Sequence, residues 1–262
     1  MTVTLDGQRL AFDENEPLVV GREPSAGTTR GGTWSKGARS HAGVYKRGTV
    51  TGPIRDVFAE PILFVYGSVD GDARANEQVA HAFAKIRPGV QVTYPVLSDA
   101  EFFAKSEPLA NDRALFLVGR ENRVLVALER GSAFPIHVEA GAVTVGQQRF
   151  TGKELGAVFV RPNPLRPDRY VVVVAGADVP GTLRAMSLPD LLPDFAVWDD
   201  GLAPSRGQVL LGAGSLRAGG MFTKEWALPA QINDPLARTS RLPARADPDQ
   251  SQPAESPPSP SP

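Results

Sequence analysis

Three stretches of this sequence run apolar and then stop at a glycine. Ile62-Leu63-Phe64-Val65-Tyr66 ends at Gly67, Ala114-Leu115-Phe116-Leu117-Val118 at Gly119, and Tyr170-Val171-Val172-Val173-Val174-Ala175 at Gly176. Unbroken apolar runs suit strands covered on both faces, because a strand with one wet face alternates instead. Helical spacing follows the first two. Val79, Ala80, Phe83 and Ile86 share one face, and a helix from Glu121 to Arg130 buries Val124, Leu125 and Leu128. Between them, Val90-Gln91-Val92-Thr93-Tyr94 reads as a strand, and Ser98 or Asp99 caps a short helix through Phe102-Phe103-Ala104. This succession of strand–turn–helix units predicts an α/β domain built on a doubly wound, flavodoxin- or Rossmann-like three-layer sheet. Right-handed crossovers would put helices on both faces.

Further on the pattern turns β-rich, so the expected sheet is mixed. Ile136-His137-Val138 and Val143-Thr144-Val145 flank Ala140-Gly141, a hairpin turn. Ala157-Val158-Phe159-Val160 and Tyr170–Val174 are joined by a connector short enough for a long hairpin. Pro180 opens a helix with Leu183 and Met186 inward, and Phe195-Ala196-Val197-Trp198 reads as a last strand.

The ends differ in character. Residues 1–22 form a small β segment in which the Asp6-Gly7 turn sets Val3 opposite Leu10. Residues 23–55 read as an irregular linker, rich in Gly, Ser, Thr and Arg. Its cations (Arg30, Lys36, Arg39, Lys46, Arg47 and Arg55) would suit a nucleic-acid arm. With sparse aromatics and a net charge of -1 for the chain, a solvated linker is expected and no nucleic-acid partner. Residues 56–228 form the α/β domain, and 229–262 a Pro/Ser-rich tail expected to be disordered.

The absence of cysteine excludes thiolate nucleophiles, disulfides, zinc–sulfur sites and iron–sulfur clusters. No apolar run approaches the roughly 20 residues needed to span a bilayer, and Met1–Asp6 lacks the pattern of a signal peptide. Taken as written, the chain is expected in the cytoplasm.

The chemistry-bearing motifs are incomplete. A nucleophilic serine on a strand–helix turn has the form G-x-S-x-G. Gly67-Ser68-Val69-Asp70-Gly71 places its serine one position early, and a turn serine is expected. His41, His81 and His137 have no i,i+2 or i,i+4 partner to pre-align a metal. Gly212-Ala213-Gly214-Ser215 fails the dinucleotide-loop spacing. Asp190, Asp194, Asp199 and Asp200 read as caps and turns. We therefore expect no catalytic group, no metal and no cofactor. In an α/β sheet a ligand would enter at the strands' carboxyl ends, which makes Gly67, Ser68, Asp70, Gly119, Asn122 and Gly176 the candidate crevice.

Several segments resemble, in their order, the C-terminal region of bacterial prolyl-oligopeptidase-like or esterase-like serine hydrolases. They are Gly52-Pro53-Ile54-Arg55-Asp56-Val57-Phe58 leading into Pro61–Gly67, Phe150-Thr151-Gly152, Pro162-Asn163-Pro164 before Arg169-Tyr170-Val171-Val172, and Ser187-Leu188-Pro189-Asp190-Leu191-Leu192-Pro193-Asp194. Thr4-Leu5-Asp6-Gly7-Gln8 resembles the β-module that precedes that region. The resemblance spans about residues 2–225 and carries no catalytic serine, acid or histidine. It implies a non-catalytic accessory domain, with a serine hydrolase catalytic domain as its partner, in cis in relatives and in trans here. It also implies a secreted or envelope setting for full-length relatives. A small-ligand-binding, flavodoxin-like module is the alternative.

Overall fold

The computed structural model describes residues 1–13, 20–24, 32–36, 45–46, 48, 50–69, 71–85, 93–105, 112–131, 134–189, 191–202 and 216–232. The chain divides into two compact units, 1–45 and 46–262.

The first unit is made of hairpins. Strands β1 (Thr2–Leu5) and β2 (Gln8–Ala11) pair antiparallel with Val3 opposite Leu10. Asp6 and Gly7 turn the chain with φ of 46° and 80°, the left-handed pair that a two-residue hairpin demands. β3 (Val20–Pro24), which begins in the expected β segment, pairs with β4 (Gly32–Lys36), which lies in the stretch expected to be irregular. The two strands carry glycine, charge and proline in place of apolar alternation, so periodicity did not announce them. The Gln8 amide holds β4: Trp34 N donates to its Oε1 at 2.7 Å, and its Nε2 donates to Trp34 O at 2.5 Å.

The second unit is built on a seven-stranded sheet. Its members are β5 (Ile62–Tyr66), β6 (Val96–Ser98), β7 (Ala114–Val118), β11 (Gly156–Asn163), β12 (Arg166–Gly176), β13 (Phe195–Trp198) and β14 (Leu216–Gly220), in the order β14-β13-β11-β12-β7-β5-β6. A separate three-stranded sheet contains β8 (Ile136–Glu139), β9 (Ala142–Val145) and β10 (Gln148–Thr151). The helices are α1 (Ala73–Phe83), α2 (Asp99–Lys105), α3 (Arg123–Glu129) and α4 (Val179–Arg184), with 3-10 turns at Ile54–Ala59 and Ala185–Ser187.

This corrects the expected doubly wound, three-layer architecture. Among the described residues strand outweighs helix, 39% to 23%, and the helices are few and short. β6, β5, β7 and β12 pair parallel, whereas β11 pairs antiparallel with both β12 and β13, and β13 antiparallel with β14. The cause lies in the connections. After β7 the chain turns to hairpins, and a helical crossover returns only between β12 and β13, through the short α4. β8 and β9 turn at Ala140-Gly141, and β11 returns as β12 after Pro164-Leu165. A seven-residue helix such as α3 is about 10 Å long and covers little of a sheet. A strand was also expected at Val90–Tyr94. Residues 90–92 lie outside the described residues, Thr93 and Tyr94 are not in a strand, and β6 begins at Val96.

The apolar runs do form the buried core. Ile62, Leu63, Phe64 and Val65 are buried, as are all five residues of β7. Successive residues face opposite sides. On one side Phe64 and Phe116 lie 4.6 Å apart, and Phe116 lies 5.2 Å from Phe83 of α1. On the other, Phe134 meets Phe159 edge-on at 5.7 Å. Each fully buried side chain of this size contributes about 1.5–3 kcal/mol. Among the described residues, no helix is long and apolar enough to cross a membrane.

Candidate functional site

The parallel strands deliver their carboxyl ends to one region. β5 runs into Gly67-Ser68, β6 into Asp99, β7 into Gly119–Asn122, and β12 closes at Gly176. The structure joins these segments through hydrogen bonds. Gly67 N donates to Val118 O at 2.8 Å and Gly119 N to Val174 O at 2.9 Å. Asn76 Nδ2, from α1, donates to Gly67 O at 3.0 Å. A Cβ on Gly119, whose φ is +104°, would lie 2.5 Å from Asn76 Nδ2, so this turn admits glycine only.

Asn122 is fully buried and caps α3. Its Oδ1 accepts from Val124 N at 2.9 Å and Leu125 N at 3.4 Å. Its Nδ2 donates to Val65 O at 2.9 Å and Val118 O at 3.2 Å. One side chain thus caps a helix and links two strands. Gly176 O accepts from Arg120 Nη1 at 3.4 Å, and the same nitrogen pairs with the Asp72 carboxylate. Asp70 lies outside the described residues.

The most connected group is one that the sequence marks only as a possible helix cap. Asp99 is fully buried. Its Oδ1 accepts from Ser68 Oγ at 2.5 Å and Ser68 N at 3.2 Å, while Oδ2 accepts from Arg123 N at 3.0 Å. The Arg123 Nε stands 3.4 Å from Oδ2. Beside it, Ser98 and Glu101 form a reciprocal capping box: Ser98 Oγ accepts from Glu101 N at 3.1 Å, and Glu101 Oε2 accepts from Ser98 N at 2.9 Å. Burial alone would push the Asp99 carboxyl up. The Ser68 hydroxyl, the Arg123 and Ser68 amides and the Arg123 guanidinium outweigh it and hold the carboxyl below the ordinary aspartate range. Tyr66, at the end of β5, is pushed up by burial and by Glu77, Glu101 and Asp99, which keeps it a phenol.

This arrangement is a poor catalytic site. A serine nucleophile needs a base that will take its proton. Ser68 donates instead to a carboxylate stabilised in its charged form, which is a weak base. His81 is exposed on α1, His137 pairs through Nδ1 with Glu129 Oε1 at 3.4 Å, and His41 lies outside the described residues. Among the described residues, no group of His, Asp or Glu is arranged to hold a metal.

Of the other carboxylates singled out from the sequence, Asp199 and Asp194 are held by backbone and cationic donors. Asp199 accepts from Gly201 N at 2.9 Å and Arg217 Nη1 at 2.7 Å, while Asp190 lies outside the described residues. Asp194 is fully buried, pairs with Lys46 Nζ and accepts from Phe222 N at 2.7 Å through the same Oδ2. Its Oδ1 is buried with no hydrogen-bond partner. Burial pushes this carboxyl up, only partly countered by Lys46 and the Phe222 amide. A small cavity, about 50 Å³, lies between α3, β8 and the sheet. It falls well short of the several hundred Å³ that a metabolite-sized ligand fills.

Neither a known family profile nor a solved structure matches the chain. An uncharacterized secreted protein of Arthroderma benhamiae is 38% identical over 81 residues, covering 29% of this chain and 8% of that protein. The chain therefore spans under a tenth of that relative's length.

Proposed function

We propose that this chain is a non-catalytic accessory module whose partner is a serine hydrolase catalytic domain, against which it packs or whose substrate access it shapes. The observation that carries the non-catalytic half is the Ser68–Asp99 bond. The serine at the strand-end position is bonded straight to a buried carboxylate held in its charged form, with no imidazole between them. The polar groups around it are likewise taken up in joining β5, β7 and β12. The hydrolase partner rests on the ordered segments between Gly52 and Asp194 that resemble the C-terminal region of such enzymes.

The purified chain should be folded and inert toward p-nitrophenyl esters and peptidyl-proline substrates. Turnover abolished by Ser68→Ala would overturn the reading. The partner half is tested on the flanking DNA, where an α/β-hydrolase reading frame is expected next to, or continuous with, this one. Flanks without such a frame count against it.

A further inference from the structure

Within the second unit, residues 216–232 are held on the sheet in the manner of a bound peptide. β14 lies at the end of the seven-stranded sheet and pairs antiparallel with β13. Beyond it, three main-chain atoms are gripped two residues apart. Phe222 N donates to Asp194 Oδ2 at 2.7 Å, Lys224 O accepts from Lys46 N at 2.7 Å, and Trp226 O accepts from Arg161 Nη1. Two aromatic side chains, four residues apart, enter the fold at these grips. Phe222 is buried, its ring 5.3 Å from that of Phe195 and 5.5 Å from the Arg161 guanidinium. Trp226 is fully buried, with the Lys46 ammonium 4.9 Å from its ring centre. Met221, Lys224 and Glu225 are exposed. Main-chain bonds along a sheet edge, with selected side chains in pockets, are how proteins take up extended peptides.

The chain's own segment fits this groove imperfectly. Trp226 has a φ of 59°, a left-handed conformation that a bulky side chain rarely adopts. Among the described residues, Trp226 Nε1, Arg161 Nε and Asp194 Oδ1 are buried without a hydrogen-bond partner. An unanswered buried polar atom costs free energy that a ligand with a matching group recovers. The segment is therefore held less tightly than its aromatic contacts alone would allow.

We propose that the groove formed by β13, Arg161, Asp194 and Lys46 is a peptide-binding site occupied in cis. Its ligand is an extended segment of another protein with two aromatic side chains four residues apart. The aromatic pair sets the ligand class. The Phe195 ring, the Arg161 guanidinium and the Lys46 ammonium all offer surfaces that aromatic rings prefer. Asp194, Lys46 N and Arg161 grip main-chain atoms, which every peptide has, so the residues between the two aromatics are free to vary. On exchange β14 leaves β13, the other six strands keep their pairing, and the incoming chain takes the vacated edge.

The test uses the full chain and a fluorescent peptide with the sequence of residues 216–232, followed by anisotropy. In the wild type the segment in cis competes, so the peptide should bind weakly. Phe222→Ala with Trp226→Ala removes both anchors of the competitor, and the peptide should then bind about tenfold tighter or more. A peptide carrying the same two alanines should not bind. Arg161→Met added to the double variant should weaken the peptide about tenfold. Equal binding to wild type and double variant overturns the proposal, and so does binding of the alanine peptide. Should the double variant fail to fold, a protease site inserted after Gly207 lets the wild-type chain be cut with both pieces retained. The peptide should exchange into the cut protein, and a cut protein that never takes it up overturns the proposal. Concentration-dependent dimers of the wild-type chain that the peptide dissociates would assign the groove to a second copy and overturn the external ligand. None of these outcomes depends on a hydrolase partner.

Discussion

Replacing Asp99 by asparagine tests what holds the strand-end loops together. The substitution keeps the shape and removes the charge. Three donors now converge on the carboxylate: Ser68 Oγ at 2.5 Å, Ser68 N at 3.2 Å and Arg123 N at 3.0 Å. An amide can accept from one side only, and its NH2 would face either the Ser68 or the Arg123 amide, donor against donor. Hydrogen bonds to a charged acceptor are worth about 1.5–3 kcal/mol each, and a buried donor left unanswered costs about 1–3 kcal/mol. Asp99 itself is fully buried, while Ser68 is half-buried and Arg123 exposed, so water relieves part of this cost. We expect a loss of about 2–4 kcal/mol, which for a unit of this size lowers Tm by roughly 6–12 °C. Urea titration should show the midpoint falling with the slope unchanged.

The pH dependence has a definite sign. The folded carboxyl sits below its unfolded value, so the unfolded chain binds the proton first. The contribution of Asp99 is complete above about pH 3.9 and is lost as pH falls through the lowered folded value. The gap between wild type and Asp99→Asn should narrow over that same range. A midpoint shift worth less than about 0.5 kcal/mol at pH 7, the size of an ordinary surface change, would refute the view that this carboxylate ties Ser68 to α3.

Two substitutions probe neighbouring joints. Asn122→Ala removes the cap of α3 and two donors to strand carbonyls; calorimetry should show a loss of about 2–4 kcal/mol, with Asn122→Asp recovering the cap alone. Gly176→Ala would bring a Cβ to 2.1 Å from Thr182 N, a backbone atom that cannot step aside, and should leave little folded protein in the soluble fraction by circular dichroism.

Much of the sheet was legible because burial leaves a plain mark. The runs at Ile62–Tyr66, Ala114–Val118 and Tyr170–Ala175 became buried strands, and the Asp6-Gly7 turn set Val3 against Leu10 as its backbone preferences require. The architecture was not legible. The hairpins after β7 were marked by their turns and short connector, but apolar runs show only that a strand is covered, so how few and short the covering helices are went unread. β3 and β4 carry no periodic pattern to find. At the candidate crevice, glycines and Ser68 were visible as strand terminators. Asp99, Asp72, Asn76 and Arg123 were not singled out for it, because separate segments bring them together. The polar character of the region was foreseeable, while its use as mutual bonding depends on distances that spacing cannot reveal.

The Gln8 amide has a consequence for how this chain meets other chains. A strand at the margin of a ribbon offers free N–H and C=O groups, and another polypeptide can align on them. At Trp34 both groups are already taken by one side chain that imitates a peptide unit. A second chain sliding along β4 would lose its register there, so this margin resists self-association through strand addition at the cost of a single residue.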